Sequence, residues 1–78
     1  MHSDLLRLID EVRANKKQPP ASGVTRATRL REELGFASLD LAELTVRIEE
    51  RFGVDVFADG LVQTVGELDD KITRAGKK

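Results

Sequence analysis

Three observations predict an all-α fold with a long first connection. Apolar residues recur at helical spacing in three separate stretches. The two prolines and Gly23, Gly35 and Gly53 fall at the joints between those stretches. And the chain of 78 residues has 31 hydrophobic side chains, seven of them Ala, which leaves 24 larger ones to fill one thin core. A single small domain over residues 1–78 is therefore expected.

Leu5, Leu8, Ile9 and Val12 sit at i, i+3, i+4 and i+7, with Ser3 placed to cap, and this predicts a first amphipathic helix from Asp4 to Asn15. Pro19-Pro20 and Ala21-Ser22-Gly23 cannot continue it, and they open a polar connection that reaches Ala37. Val24, Leu30, Leu34 and Phe36 are spaced as anchors for that connection, and Glu32-Glu33-Leu34-Gly35 reads as a single turn closed by glycine. From Ser38 to Phe52 no Gly or Pro occurs, and Gly53 stands where a left-handed C-terminal cap belongs, so a second helix is expected over 38–52. Alternating residues then flank Ala58-Asp59-Gly60, which locally is a hairpin signal. A two-stranded hairpin alone is marginal, so a loop with a short third helix near Ala58–Val62 is preferred. Thr64 and Glu67 form a capping box ahead of Val65, Leu68 and Ile72, the stripe of a last helix that ends at Ala75-Gly76. Asp69, Asp70 and Lys71 read as a solvated face of it.

The second helix carries two apolar faces. At about 100° per residue, Leu41, Leu44, Ile48 and Phe52 cluster as a buried stripe. Leu39 and Val46 land together on the opposite side with Ala42 beside them and Glu43 and Glu50 nearby. Residues 38–59 carry six acidic and two basic side chains, an acidic sector in a chain whose net charge is only -1. Scattered exposed apolar residues are ordinary, or another element covers them. The alternative is a docking face whose acidic rim steers a basic partner while its small apolar centre keeps the complex transient. Ser38, at the start of this helix, is most simply an N-cap. The same position favours an attached phosphate, because free N–H groups and the positive end of the helix dipole stabilise negative charge there.

Most enzyme classes are poorly supported. The chain lacks Cys, Trp and Tyr and has one His, which removes disulfides, thiolate metal sites and thiol nucleophiles and suits a reducing compartment. His2 lies in a terminal segment, so a Ser-His triad on Ser38 fails. Asp55, Asp59 and Gly60 begin like a calcium loop, but Phe57 holds the third position and Gly66 the twelfth, where a Glu is required. No phosphate-cradling Gly-rich loop with Lys-Ser/Thr occurs. Arg26, Arg29 and Arg31 with Lys16 and Lys17 are a weak nucleic-acid signal, because the second helix is acidic and stacking aromatics are missing. No run approaches the roughly 20 apolar residues of a membrane span, and the first residues lack the basic start of a signal peptide. A cytoplasmic chain, without catalytic or metal-binding residues of its own, is expected.

The stretch from Thr25 through Arg29-Leu30-Arg31-Glu32-Glu33-Leu34-Gly35-Phe36-Ala37-Ser38-Leu39-Asp40-Leu41-Ala42-Glu43-Leu44 resembles the acyl carrier protein family. The likeness continues through Ile48-Glu49-Glu50-Arg51-Phe52-Gly53-Val54 and the Thr64-Val65-Gly66-Glu67-Leu68 start of the last helix. It implies a four-helix bundle with a short third helix, in which Ser38 is converted by a phosphopantetheinyl transferase to a 4'-phosphopantetheine ester. Coenzyme A supplies the arm, and Mg2+ is held only in the transferase complex. The arm's thiol would hold acyl groups as thioesters for ligases, ketosynthases and acyltransferases, while the protein itself performs no chemistry. The family's recognition positions fall on Leu39, Asp40, Glu43, Val46, Glu49 and Glu50. A monomer in fatty acid, polyketide or related biosynthesis is implied, and the modest acidity leans toward a specialised pathway.

The sequence departs from the family pattern in two respects. Ala37 stands where an Asp is usual, which removes a carboxylate that normally helps transferase and metal recognition. Arg47 and Arg51 dilute a helix that is often more uniformly acidic, and the segment after Phe52 is a little shorter than in many members. The rival reading is an unmodified, carrier-shaped interaction module that binds a partner through the outer face of the second helix.

Overall fold

The computed structural model describes residues 2–58, 60 and 62–76. Among them are three helices, α1 (Ser3–Asn15), α2 (Ser38–Phe52) and α3 (Val65–Gly76), and no strand. Leu5, Leu8, Ile9 and Val12 of α1 are buried against Leu41, Leu44 and Ile48 of α2 and Val65, Leu68 and Ile72 of α3 in one core, with Phe52 partly buried at its margin. The start of α1 differs from expectation. Ser3 is its first helical residue, and His2 takes the cap position without a side-chain cap. The His2 N–H donates to Asp69 Oδ1 of α3 at 2.9 Å, so a distant carboxylate ties down the residue before the helix.

Residues 16–37 are irregular but anchored. After the Lys16 cap of α1, Lys17 adopts φ 60°, and Gln18 N–H turns back to the Arg13 carbonyl. Arg13 donates to the carbonyls of Pro19 and Leu34, and Asp10 accepts from Ala21 N–H. Leu30, Leu34 and Phe36 are buried as anchors, while Val24 packs partly against the core. Gly35 closes the turn at φ 72°. A single antiparallel bridge, Arg29 to Thr64, joins this connection to the entry of α3. There Gly66 N–H donates to the Arg26 carbonyl at 2.9 Å, and a Cβ at Gly66 would stand 2.8 Å from that same oxygen.

α2 ends as its sequence predicts: Gly53 adopts φ 74° and returns its N–H to the Glu49 carbonyl. Four side-chain contacts tie this helix to α1 and the residue after it. Arg51 pairs with Asp4, Arg47 with Glu11 at 2.8 Å, Lys16 with Asp40 at 2.7 Å, and Asn15 donates to Glu43 at 2.6 Å.

The short helix expected near Ala58–Val62 is not present among the described residues, so the bundle counts three helices rather than four there; residues 59 and 61 lie outside them. Asp55 accepts from Phe57 N–H and starts a turn over residues 56–58, which buries Val56 in the core. The capping box of α3 forms reciprocally: Thr64 N–H donates to Glu67 Oε1 at 3.2 Å, and Glu67 N–H donates to Thr64 Oγ1 at 3.3 Å. Asp69 corrects the expected solvated face. It is buried, accepting from His2 and from Arg26 at 2.9 Å, while Asp70 is exposed.

Candidate functional site at the start of the second helix

Ser38 is not the cap of α2. Ala37 occupies that position in extended geometry, with no side-chain oxygen to offer. The work is done from inside the helix: Asp40 Oδ2 accepts the Ala37 N–H at 2.8 Å and takes the Lys16 ammonium on the same carboxylate. Lys16, and after it the Ala37 N–H, hold the Asp40 carboxyl below its usual range. Ser38 is therefore the first helical residue, exposed, with a hydroxyl that no cap consumes. Its Oγ accepts from Arg31 Nη2 at 3.3 Å. His2 is engaged with Asp69 and lies edge-on to the Phe52 ring, so the hydroxyl has no imidazole partner. Among the described residues, no group of three or more His, Asp or Glu side chains is placed to hold a metal ion.

The six residues marked for recognition separate into two sets. Leu39 is 82% exposed and Val46 57%, the two large apolar side chains left in solvent among the described residues. Glu49 and Glu50 are exposed and make no ion pair there. Asp40 and Glu43 are already occupied, Asp40 by the helix start and Glu43 by Asn15 and by Arg47 at 3.2 Å. The outer face is thus an apolar pair with free carboxylates toward its C-terminal end.

Two features escaped the sequence. A cavity of about 390 Å³ opens beside Ser38, lined by Arg31, Leu41, Ala42, Thr45 and Phe57. Its surface is mostly apolar, and the Thr45 hydroxyl on its wall donates to the Leu41 carbonyl at 2.8 Å. Arg31 reaches the same hydroxyl from a turn seven residues upstream, and no periodicity marks such a contact.

A family model described as "Phosphopantetheine attachment site" matches residues 5–70. The chain belongs to the acyl carrier protein family. It is 36% identical over 67 residues to a protein named "Acyl carrier protein" from Saccharopolyspora erythraea, covering 83% of this chain and 70% of that one. A second "Acyl carrier protein", from Rubrobacter xylanophilus, is 38% identical over 53 residues, 68% of this chain and 65% of the relative. Acyl carrier proteins are carriers rather than enzymes, and their 4'-phosphopantetheine is bound covalently through a serine. The start of α2 suits such a group: an exposed hydroxyl, a cation beside it and an apolar groove leading away.

Proposed function

We propose that this chain is a single-domain, monomeric carrier modified on Ser38, and that it presents acyl thioesters to successive biosynthetic enzymes. The observation that carries the assignment is the uncommitted hydroxyl. Of the two serines within the matched residues, Ser22 lies in the irregular connection, whereas Ser38 opens a helix and its Oγ is free of capping. Positive helix-end charge and the unbonded N–H groups of the first turn favour an anion there. When bound, the arm supplies a terminal thiol whose thioesters are activated at the carbonyl and for deprotonation beside it. The protein's own residues orient its root and offer a surface to partners.

The proposed partners are a phosphopantetheinyl transferase and the enzymes that load and process acyl groups, docking on Leu39 and Val46 with Glu49 and Glu50 as the steering charges. Asp40 and Glu43 then act first as supports of that face. A specialised pathway such as polyketide or modified-lipid synthesis suits a helix whose acidity is partly neutralised, and a cytoplasmic setting suits the lack of Cys. No helix among the described residues is long and apolar enough to cross a membrane.

Incubation with coenzyme A, Mg2+ and a broad-specificity transferase should add one phosphopantetheine mass, located on the peptide containing Ser38. A folded sample that gains none, or gains it elsewhere, overturns the assignment. Ala37 favours a second reading, an unmodified module using the same face. Intact mass of the protein purified from its own host separates the two.

A further inference from the structure

Arg31 is used by neither the core nor the docking face. It stands on the turn at residues 30–34, exposed. Its neighbour Glu32 pairs with Arg29, and Arg31 itself makes no ion pair among the described residues. A long cationic side chain in that position usually extends into water. Here its Nη2 is turned onto Ser38 Oγ at 3.3 Å, and its side chain lines the apolar cavity that starts at Ser38.

We propose that Arg31 is a positioning residue for the prosthetic arm, its guanidinium binding the non-bridging oxygens of the phosphodiester on Ser38. The inference rests on the reading that Ser38 is the attachment serine. A phosphodiester keeps one negative charge throughout the physiological range, and a planar guanidinium can offer two parallel donors to it. Esterification places the phosphorus one bond, and those oxygens two bonds, beyond the atom Arg31 already touches. The N–H groups at the start of α2 face the same position from the helix side. No free carboxylate competes: position 37 is Ala, and Asp40 is answered by Lys16 and the Ala37 N–H. Held from both sides, the first bonds of the arm are directed along the groove of Leu41, Ala42, Thr45 and Phe57 rather than left free to rotate.

The test compares wild type, Arg31→Gln and Arg31→Lys, each loaded from coenzyme A by a broad-specificity transferase, checked by intact mass and circular dichroism, then studied by NMR. On loading, the Arg31 guanidinium signals should shift and exchange more slowly with water. The phosphorus resonance of Arg31→Gln should differ from wild type, with Arg31→Lys between them, and the wild-type resonance should move toward that of Arg31→Gln as salt is raised. If all three proteins gain the arm and share one salt-insensitive phosphorus resonance, the role of Arg31 is overturned while Ser38 attachment stands. If Arg31→Gln loads more slowly but its phosphorus resonance is unchanged, Arg31 belongs to the transferase contact and the inference likewise fails. If wild type gains no arm, the attachment reading falls first and this inference falls with it.

Discussion

Because Ser38 is the first residue of α2 rather than its cap, removing its hydroxyl should abolish loading and leave the fold intact. A lost capping hydroxyl costs about 1 kcal/mol, within a range of roughly 0.5–2. In a domain of this length 1 kcal/mol moves Tm by about 4–8 °C. The hydroxyl of Ser38 makes one contact, 3.3 Å to an exposed arginine, and satisfies no orphan N–H of the helix. Alanine is also the better helix former by a few tenths of a kcal/mol. Ser38→Ala is therefore expected to change stability by less than about 0.5 kcal/mol, a Tm shift of at most about 4 °C in either direction. Asp40→Ala is the contrasting variant. It takes away the acceptor of the Ala37 N–H at 2.8 Å and the partner of Lys16 at 2.7 Å, and should cost about 1–2 kcal/mol. Thermal and urea unfolding of the two variants beside wild type measure the difference, with intact mass after transferase treatment as the functional readout. A Ser38→Ala protein that unfolds as early as Asp40→Ala would show that the hydroxyl caps the helix after all and is not free for esterification.

Charge reversal at Glu49 and Glu50 should weaken association with a carrier-dependent enzyme, measured by calorimetry, without changing the melting curve. Glu43→Lys should lower stability as well, because it breaks contacts to Asn15 and Arg47; a melt identical to wild type would refute that distinction. Burial pushes the Asp69 carboxyl up, but the N–H and imidazole of His2 outweigh it and hold the group below its ordinary value of 3.8. Its folded value thus lies under its unfolded one, so its contribution is complete above about pH 5 and is lost as pH falls through the lower folded value. Asp69→Asn should flatten the acid limb of a stability-pH curve, and an unchanged limb would assign acid unfolding to other carboxylates. Gly66→Ala, which drives a Cβ to 2.8 Å from the Arg26 carbonyl, should cost about 1–3 kcal/mol in urea unfolding; a neutral result would mean that this loop yields freely.

What the sequence revealed was what depends on neighbours along the chain. The stripe Leu41, Leu44 and Ile48, the outward pair Leu39 and Val46, the Gly53 cap and the Thr64–Glu67 box all follow from spacing within one or two turns, and each stands where that spacing puts it. What it hid depends on residues far apart. Asp69 reads as surface because nothing local announces that His2, 67 positions away, and Arg26 will converge on it. The Ser38 side of the site divides in the same manner. The hydroxyl and the exposed pair were legible, whereas the contact by which Lys16 occupies Asp40 comes from the other side of the long connection. Just after Gly53, Asp55 accepts the Phe57 N–H, a local side-chain contact that favours a turn and that the alternation of Val54, Val56 and Phe57 does not announce.

The seam between α1 and α2 reaches beyond stability. Arg47 and Arg51 lower the formal charge of α2, yet each is matched by an acid of α1, Glu11 and Asp4. They cancel charge within the protein instead of offering cations to a visitor. A partner approaching this helix then meets Glu49 and Glu50 as the uncommitted charges beside a hydrophobic pair, so those two carboxylates should set the salt dependence of its arrival while selection falls to how well a recess accepts Leu39 and Val46.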